Sequence, residues 1–310
     1  MPNPCSAMGV VARMLVETGD NTAVFDVNSE RYALLAENLK AKRILQGRNR
    51  ITGDLSTYAA NVRQHSYFVR GTVVLQPGPA DLVNWLPRIM GAAGSGNNYG
   101  LGSTFNDFAI LFDKENAIFR IDNCRVNYAV FQSRSAEGEE PEELVTLALN
   151  IFGIAEEIDG ETWPSPAPDL TLTTPYLPYT HWEGVFTLAG DDTPFRRFAL
   201  GINNNLRPMF YNGITPNCFR SRGRRVTLQT ENPFTEATID DSVSMLTAGM
   251  AGVLTFTNGS VSTAFTMPHL RNSYESPSIA GKDEIPLELD LEAFATASNN
   301  EISVVNDSAA

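Results

Sequence analysis

The chain has 310 residues, 43% hydrophobic and 19% charged, an ordinary globular composition long enough for one large domain or two of usual size. A net charge of −13 argues against a protein that grips nucleic acid phosphates, since that grip comes from clustered Lys and Arg. No apolar run approaches the roughly 18 residues of a membrane-spanning helix, so no membrane partner is expected.

Residues 1–30 lack a clear periodicity and read as an N-terminal arm that packs on something else. Met1–Leu15 has no basic leader, and Arg13 interrupts its short apolar stretch, so no secretory signal is expected. From Arg31 the chain is mostly strand-like. Tyr67–Leu75, Phe108–Phe112, Ile118–Cys124 and Leu144–Phe152 are short runs rich in branched and aromatic residues, bounded by turn signals. Pro79–Met90 spaces Leu82, Trp85, Leu86 and Ile89 as one helical stripe, opened by Pro79 and Asp81 and closed by Gly91. Three prolines in Glu161–Asp169 predict a stiff linker. Beyond it, Val226–Thr230, Val253–Thr257, Thr263–Met267 and Leu287–Leu291 predict strands. Thr238–Met250 predicts a helix with Ile239, Val243, Leu246 and Met250 on its apolar stripe and Thr238 as cap. Lys114–Asn116 and Asn258–Gly259 read as hairpin turns.

The two stretches echo each other. Phe119–Tyr128 matches Phe265–Tyr274, Glu142–Phe152 matches Glu284–Phe294, Val73–Gln76 matches Val226–Gln229, and Asn38–Lys40 matches Asn205–Arg207, all in the same order. Four ordered matches predict a two-fold internal repeat. The expected fold is mainly β, with two tandem β-sandwich or barrel domains at 31–160 and 170–310, each flanked by one helix and joined by the linker at 161–169. Two loops are longer in the first copy: the polar, basic segment Arg48–Asn61, and a stretch that includes the Gly-rich Gly91–Gly100.

Catalytic chemistry finds little support. Gly91–Gly100 lacks both the P-loop ending and the dinucleotide spacing, and reads as a contact-forming or flexible loop. His65, His181 and His269 have no second ligand at metal spacing. Cys5, Cys124 and Cys218 are odd in number, far apart, and read as reduced, with Cys124 packing as a small apolar residue. No catalytic residue, cofactor or metal is assigned. Arg220, Arg222, Arg224 and Arg225 form the one dense basic patch; if extended, Arg220, Arg222 and Arg224 share a face, either pairing with acid on a neighbouring subunit or forming a solvated edge. Leu287–Glu292 alternates strictly and points Glu288, Asp290 and Glu292 to one side, where the first copy has Thr146, Ala148 and Asn150. This row is either a solvated strand face or a surface that repels polyanions.

The closing run Pro286–Leu–Glu–Leu–Asp–Leu–Glu–Ala–Phe–Ala–Thr296, then Glu301–Ile–Ser–Val304, resembles the last strand of phage tail tube proteins from long-tailed phages. The order of arm, long loop, short helix and late paired strands is similar too. The resemblance implies a structural, non-enzymatic virion protein, assembled in the host cytoplasm. Its rings stack into a tube that delivers double-stranded DNA without specific binding. A duplicated subunit implies three chains per ring with pseudo-six-fold symmetry, and Glu288, Asp290 and Glu292 as lumen-facing acid. Contacts within and between rings would use Arg48, Arg50, Asp54, Arg63, Arg220, Arg222, Arg224 and Arg225. Further partners implied are tape-measure, tail terminator and baseplate proteins. A baseplate hub or distal tail protein is the nearest alternative. A carbohydrate-binding module is another, with Trp163, Trp182 and Tyr176–Tyr179 as its aromatic cluster.

Overall fold

A computed structural model describes residues 13–19, 22–46, 63–115, 117–135, 143–168, 170, 177–272 and 286–308. The first half carries β1 (Arg13–Thr18), β2 (Glu30–Tyr32), β3 (Leu34–Glu37), β4 (Lys40–Gln46), β5 (Arg63–Leu75), α1 (Pro79–Met90), β6 (Asn98–Gly100), β7 (Phe108–Asp113), β8 (Ile118–Arg134), β9 (Thr146–Gly153) and β10 (Ala155–Ile158). The second carries β11 (Gly184–Leu188), β12 (Asp191–Asp192), β13 (Arg197–Asn203), β14 (Leu206–Met209), β15 (Cys218–Ser221), β16 (Arg225–Pro233), α2 (Glu236–Thr247), β17 (Met250–Asn258), β18 (Val261–Asn272), β19 (Pro286–Ala293) and β20 (Ser303–Asp307). The protein is mainly β, built from antiparallel pairs, as the alternating sequence requires.

Nearly all pairings fall within one half or the other. In the first, β1 pairs with β2 and β7, β8 with β7, β9 and β10, and β5 with β3, β4 and β9. In the second, β11 pairs with β12 and β17, β18 with β17, β19 and β20, β16 with β13 and β19, and β14 with β15. Only two pairings among the named strands cross between halves: β8 with β13, and β6 with β20. The halves also share one continuous buried cluster, in which Phe131 and Phe265 sit with ring centres 5.1 Å apart.

Strand β8 bends the first half into a sandwich. Its start pairs with β7 and β10; past Asn123, held at φ 52°, it pairs with β9 and then β13. A bulge at Asn127 lets Val126 and Ala129 both face inward, which is how one strand serves two layers.

Helix α1 matches its sequence boundaries. Asp81 accepts the Gly78 N–H at 2.9 Å, and Gly91 closes the helix at φ 72°. Buried Arg88 donates to both carboxylate oxygens of Glu30 and to Thr18 Oγ1, tying α1 to β1 and β2. Helix α2 departs from expectation. Its cap is Thr235, not Thr238, and it stops at Thr247 because Gly249, at φ 75°, turns the chain beneath His269 into β17. Its buried face is Thr238, Ser242 and Met245, whereas Val243 and Leu246 of the expected stripe are exposed.

Part of the expected arm is core strand. Met14, Leu15 and Val16 of β1 are fully buried, with β2 on one edge and β7 on the other. Alternation is hidden there because β1 is covered on both faces. One cover is the proline-rich segment itself: Trp163 packs against the cluster of Leu15 and Ala109 beneath Arg13, and Arg31 donates to Pro168 O.

Candidate functional site

The junction of the halves creates one continuous sheet, β19–β16–β13–β8–β9–β5, whose outward face spans both. Strict alternation puts the inward residues of β16 and β19, such as Leu228, Leu289 and Leu291, into the core. The outward ones fall into rows set by register. One row reads Glu288, Glu231, Arg197, Arg134. The next reads Asp290, Gln229, Ala199, Gln132, Thr146. The third reads Glu292, Thr227, Gly201, Val130, Ala148, Val74, and the last Arg225, Asn203, Tyr128, Asn150, Thr72. Tyr128 lies over Gly201, where an added Cβ would come within 2.6 Å of its hydroxyl and push the ring aside.

This face brings the acid row and its neutral counterpart onto one surface. Glu288, Asp290 and Glu292 point outward from β19, and Thr146, Ala148 and Asn150 from β9. Gln229 Nε2 donates to Asp290 at 2.7 Å, and Arg225 donates to Glu292 at 2.9 Å. The bond from Arg225 to Glu292 raises the guanidinium's pKa further, although an exposed pair of this kind contributes little to stability. Glu231 sits directly between Glu288 and Arg197, so one like-charge contact is balanced by an opposite one.

The basic candidates separate. Arg225 belongs to the sheet face. Arg220 is exposed on β15 opposite Arg207, and Arg222 is exposed in the turn that follows. Arg224 does not share their face: the chain leaves the extended state at Gly223, φ 126°, and turns Arg224 inward. There it donates to Asn204 Oδ1 and Gly102 O, each at 2.8 Å, over the Phe105 ring, and burial lowers its pKa. Arg63 opens β5 opposite Gln46. Arg48, Arg50 and Asp54 lie outside the described residues.

The joint rests on polar residues that sequence reasoning missed. Fully buried Asn204 donates to Ile89 O at 2.9 Å and Val126 O at 3.0 Å, linking the end of α1, the bend of β8 and the second half. Asn127, at the bulge, accepts from the Leu206 N–H and donates to Asn150. The hairpins β4–β5 and β14–β15 lie side by side, with Phe68, Phe152 and Phe219 in successive contact and the Tyr67 N–H donating to Ile214 O. The signal for β13 was legible as Phe198, Leu200 and Ile202 alternating; nothing local marks Asn204 as the joint.

The aromatic cluster of the carbohydrate reading is dispersed. Trp163 packs on the first half, Tyr179 is buried against Thr263, and Trp182 is exposed elsewhere; Tyr176 lies outside the described residues. His181 is buried between Ser133 Oγ and Phe195 O, bridging the halves. The Cys124 thiol is buried, which pushes its pKa up well above the ordinary value. Among the described residues no group of three or more His, Cys, Asp and Glu could hold a metal, and no helix is long and apolar enough to cross a membrane.

No curated protein matches the chain. Residues 8–293 match the model of a family described as phage tail tube protein, a span that takes in the joint and the acidic strand β19. On that match the chain belongs to the phage tail tube protein family.

Proposed function

We propose that this chain is a duplicated tube subunit that closes into rings of three, stacked to form the tail tube through which double-stranded DNA passes. The observation that carries this reading is the β8–β13 joint. Strand β3 holds the place in the first half that β13 holds in the second, since each pairs with the strand leading into its helix. Yet β13 has a partner on both edges, whereas β3 has none on its second edge among the described residues. An edge of that kind is a template for strand addition. Meeting the place after β18 of another copy that corresponds to the β13-paired part of β8, residues 274–280 outside the described ones, it continues the sheet from chain to chain. The contact is heterologous, so repeating it either closes a ring or runs on as a filament. Two similar halves per chain favour closure with pseudo-six-fold symmetry.

In such a ring the sheet face of Glu288, Asp290 and Glu292 lines the lumen, alternating with the neutral face of Thr146, Ala148 and Asn150. Acid there denies DNA the counterion release that drives binding to basic surfaces. Arg225 then works within the wall rather than between chains. The segment Arg48–Asn61, with Arg63 at its end, reaches the next ring, and the chain lies in the virion tail beside tape-measure, terminator and baseplate proteins. The chain is structural rather than enzymatic.

Electron microscopy of the concentrated full-length protein tests this. Hollow rings or tubes are expected; a stable monomer at every concentration overturns the reading. Deleting Arg48–Asn61 is expected to leave rings and stop stacking, and undiminished tube growth contradicts the role of that loop.

A further inference from the structure

The two helices have equal lengths and aligned caps, Gly78 with Thr235, so their positions correspond one to one. Asp81, Trp85 and Arg88 correspond to Thr238, Ser242 and Met245, and all but the half-buried Asp81 are buried. This is the face each helix turns to its own half: α1 packs on β8, and α2 on the corresponding β18. The adjoining flank differs. Leu86 and Ile89 of α1 are 0% exposed, while the corresponding Val243 and Leu246 of α2 are 48% and 43% exposed.

The difference has a visible cause. Helix α1 packs additionally on β18 and β20 of the second half, and on β6, which is itself paired to β20. Asn306 of β20 donates to Pro79 O at 2.9 Å, fixing the start of α1 there. Helix α2 has no such second half beyond it. On the other side, β10 corresponds to β20, and Ile158, opposite Phe119, holds the place of Val304, opposite Phe265. Val304 is 0% exposed in the contact between halves, whereas Ile158 is 54% exposed.

From these unmatched surfaces we infer that the Val243–Leu246 flank of α2 docks on the β8–β10 surface around Ile158 of a second copy of this chain, repeating between chains the contact that α1 makes with β18 and β20 within one. The occupant is fixed by the chain itself, because the only template for covering this flank is the chain's own opposite half. Direction agrees as well. Within the chain the first half supplies both the helix and the β8 edge, and the second supplies both β20 and β13; between chains the second half supplies α2 and the first supplies β10 and β3. The inference rests on the self-assembly reading above and adds its apolar contact, distinct from the sheet edge.

Two full-length variants test it: Val243→Glu with Leu246→Glu, and Ile158→Glu. All three side chains are exposed, so each protein is expected to keep its circular dichroism spectrum and melting midpoint. Each is expected to need roughly ten-fold or more protein to assemble, as followed by sedimentation. A benzophenone side chain in place of Leu246, in a mixture of isotopically light and heavy chains, is expected to cross-link to residues 118–160 of a different chain. Assembly at the wild-type concentration, or cross-links that map elsewhere while rings still form, overturns this contact and leaves the ring standing. A wild-type chain that never associates overturns both.

Discussion

The two late strands β9 and β19 share an inward face and differ in their outward one. Leu147, Leu149 and Ile151 are as buried as Leu287, Leu289 and Leu291, but outward the sequence reads Thr146, Ala148, Asn150 in one and Glu288, Asp290, Glu292 in the other. The inward face is fixed by packing, where a lost methylene is felt at once. The outward face is free of that constraint, and its residues can differ where the surfaces they form differ. The helices carry the same lesson: one face of each is buried in its own half, and the other flank is buried only where a second half is present to cover it.

The largest expected effect lies in the shared inward face. Leu149→Ala and Leu291→Ala should each destabilise the fold by about 2–5 kcal/mol in chemical denaturation, and by similar amounts. A small cost in one strand alone would break the comparison of β9 with β19. Next comes the joint. Asn204→Ala leaves Ile89 O and Val126 O buried without their donor and should cost about 2–3 kcal/mol. An unchanged unfolding midpoint would mean that the polar joint does not hold the halves together.

A smaller effect separates the helix starts. Burial, opposed by the Gly78 N–H and reinforced by Glu30, raises the Asp81 carboxyl from 3.8 to about 6, while α2 has neutral Thr238 at that position. The folded state therefore holds an extra proton between about pH 4 and pH 6, and stability should fall as pH rises through that window. Asp81→Asn keeps an acceptor for the cap and should flatten the slope; Thr238→Asn should leave it unaltered. The smallest effect on folding belongs to the acid row. Replacing Glu288, Asp290 and Glu292 by lysine should shift stability by under about 1 kcal/mol. Assembled tubes of that variant should retain DNA at low salt where wild type does not, and equal retention by both would remove the row from the lumen.

Eight of the twenty named strands and all of α1 were legible because alternation and capping are local. The limits of α2 were misread because Val243, Leu246 and Met250 keep a helical spacing, although Met250 packs against the core from β17 and this chain alone leaves Val243 and Leu246 exposed. The later part of β8 was hidden by the Asn127 bulge, which breaks the period of two between Val126 and Ala129. The match of Val73–Gln76 with Val226–Gln229 is out of step with the helix caps, which set Val73 against Thr230. Short branched runs in neighbouring strands resemble each other whatever their register. The acid row was readable from Leu287–Glu292 alone. Its place on one sheet face with β9 was not, since the β8–β13 joint that unites the faces depends on residues distant in sequence.

The most direct test is a cryo-electron microscopy reconstruction of the assembled ring without imposed symmetry. Three chains are expected, with β3 of each hydrogen-bonded to its neighbour in the geometry that β13 adopts against β8. Six chains in the ring, or a β3 edge left unpaired between subunits, would contradict it.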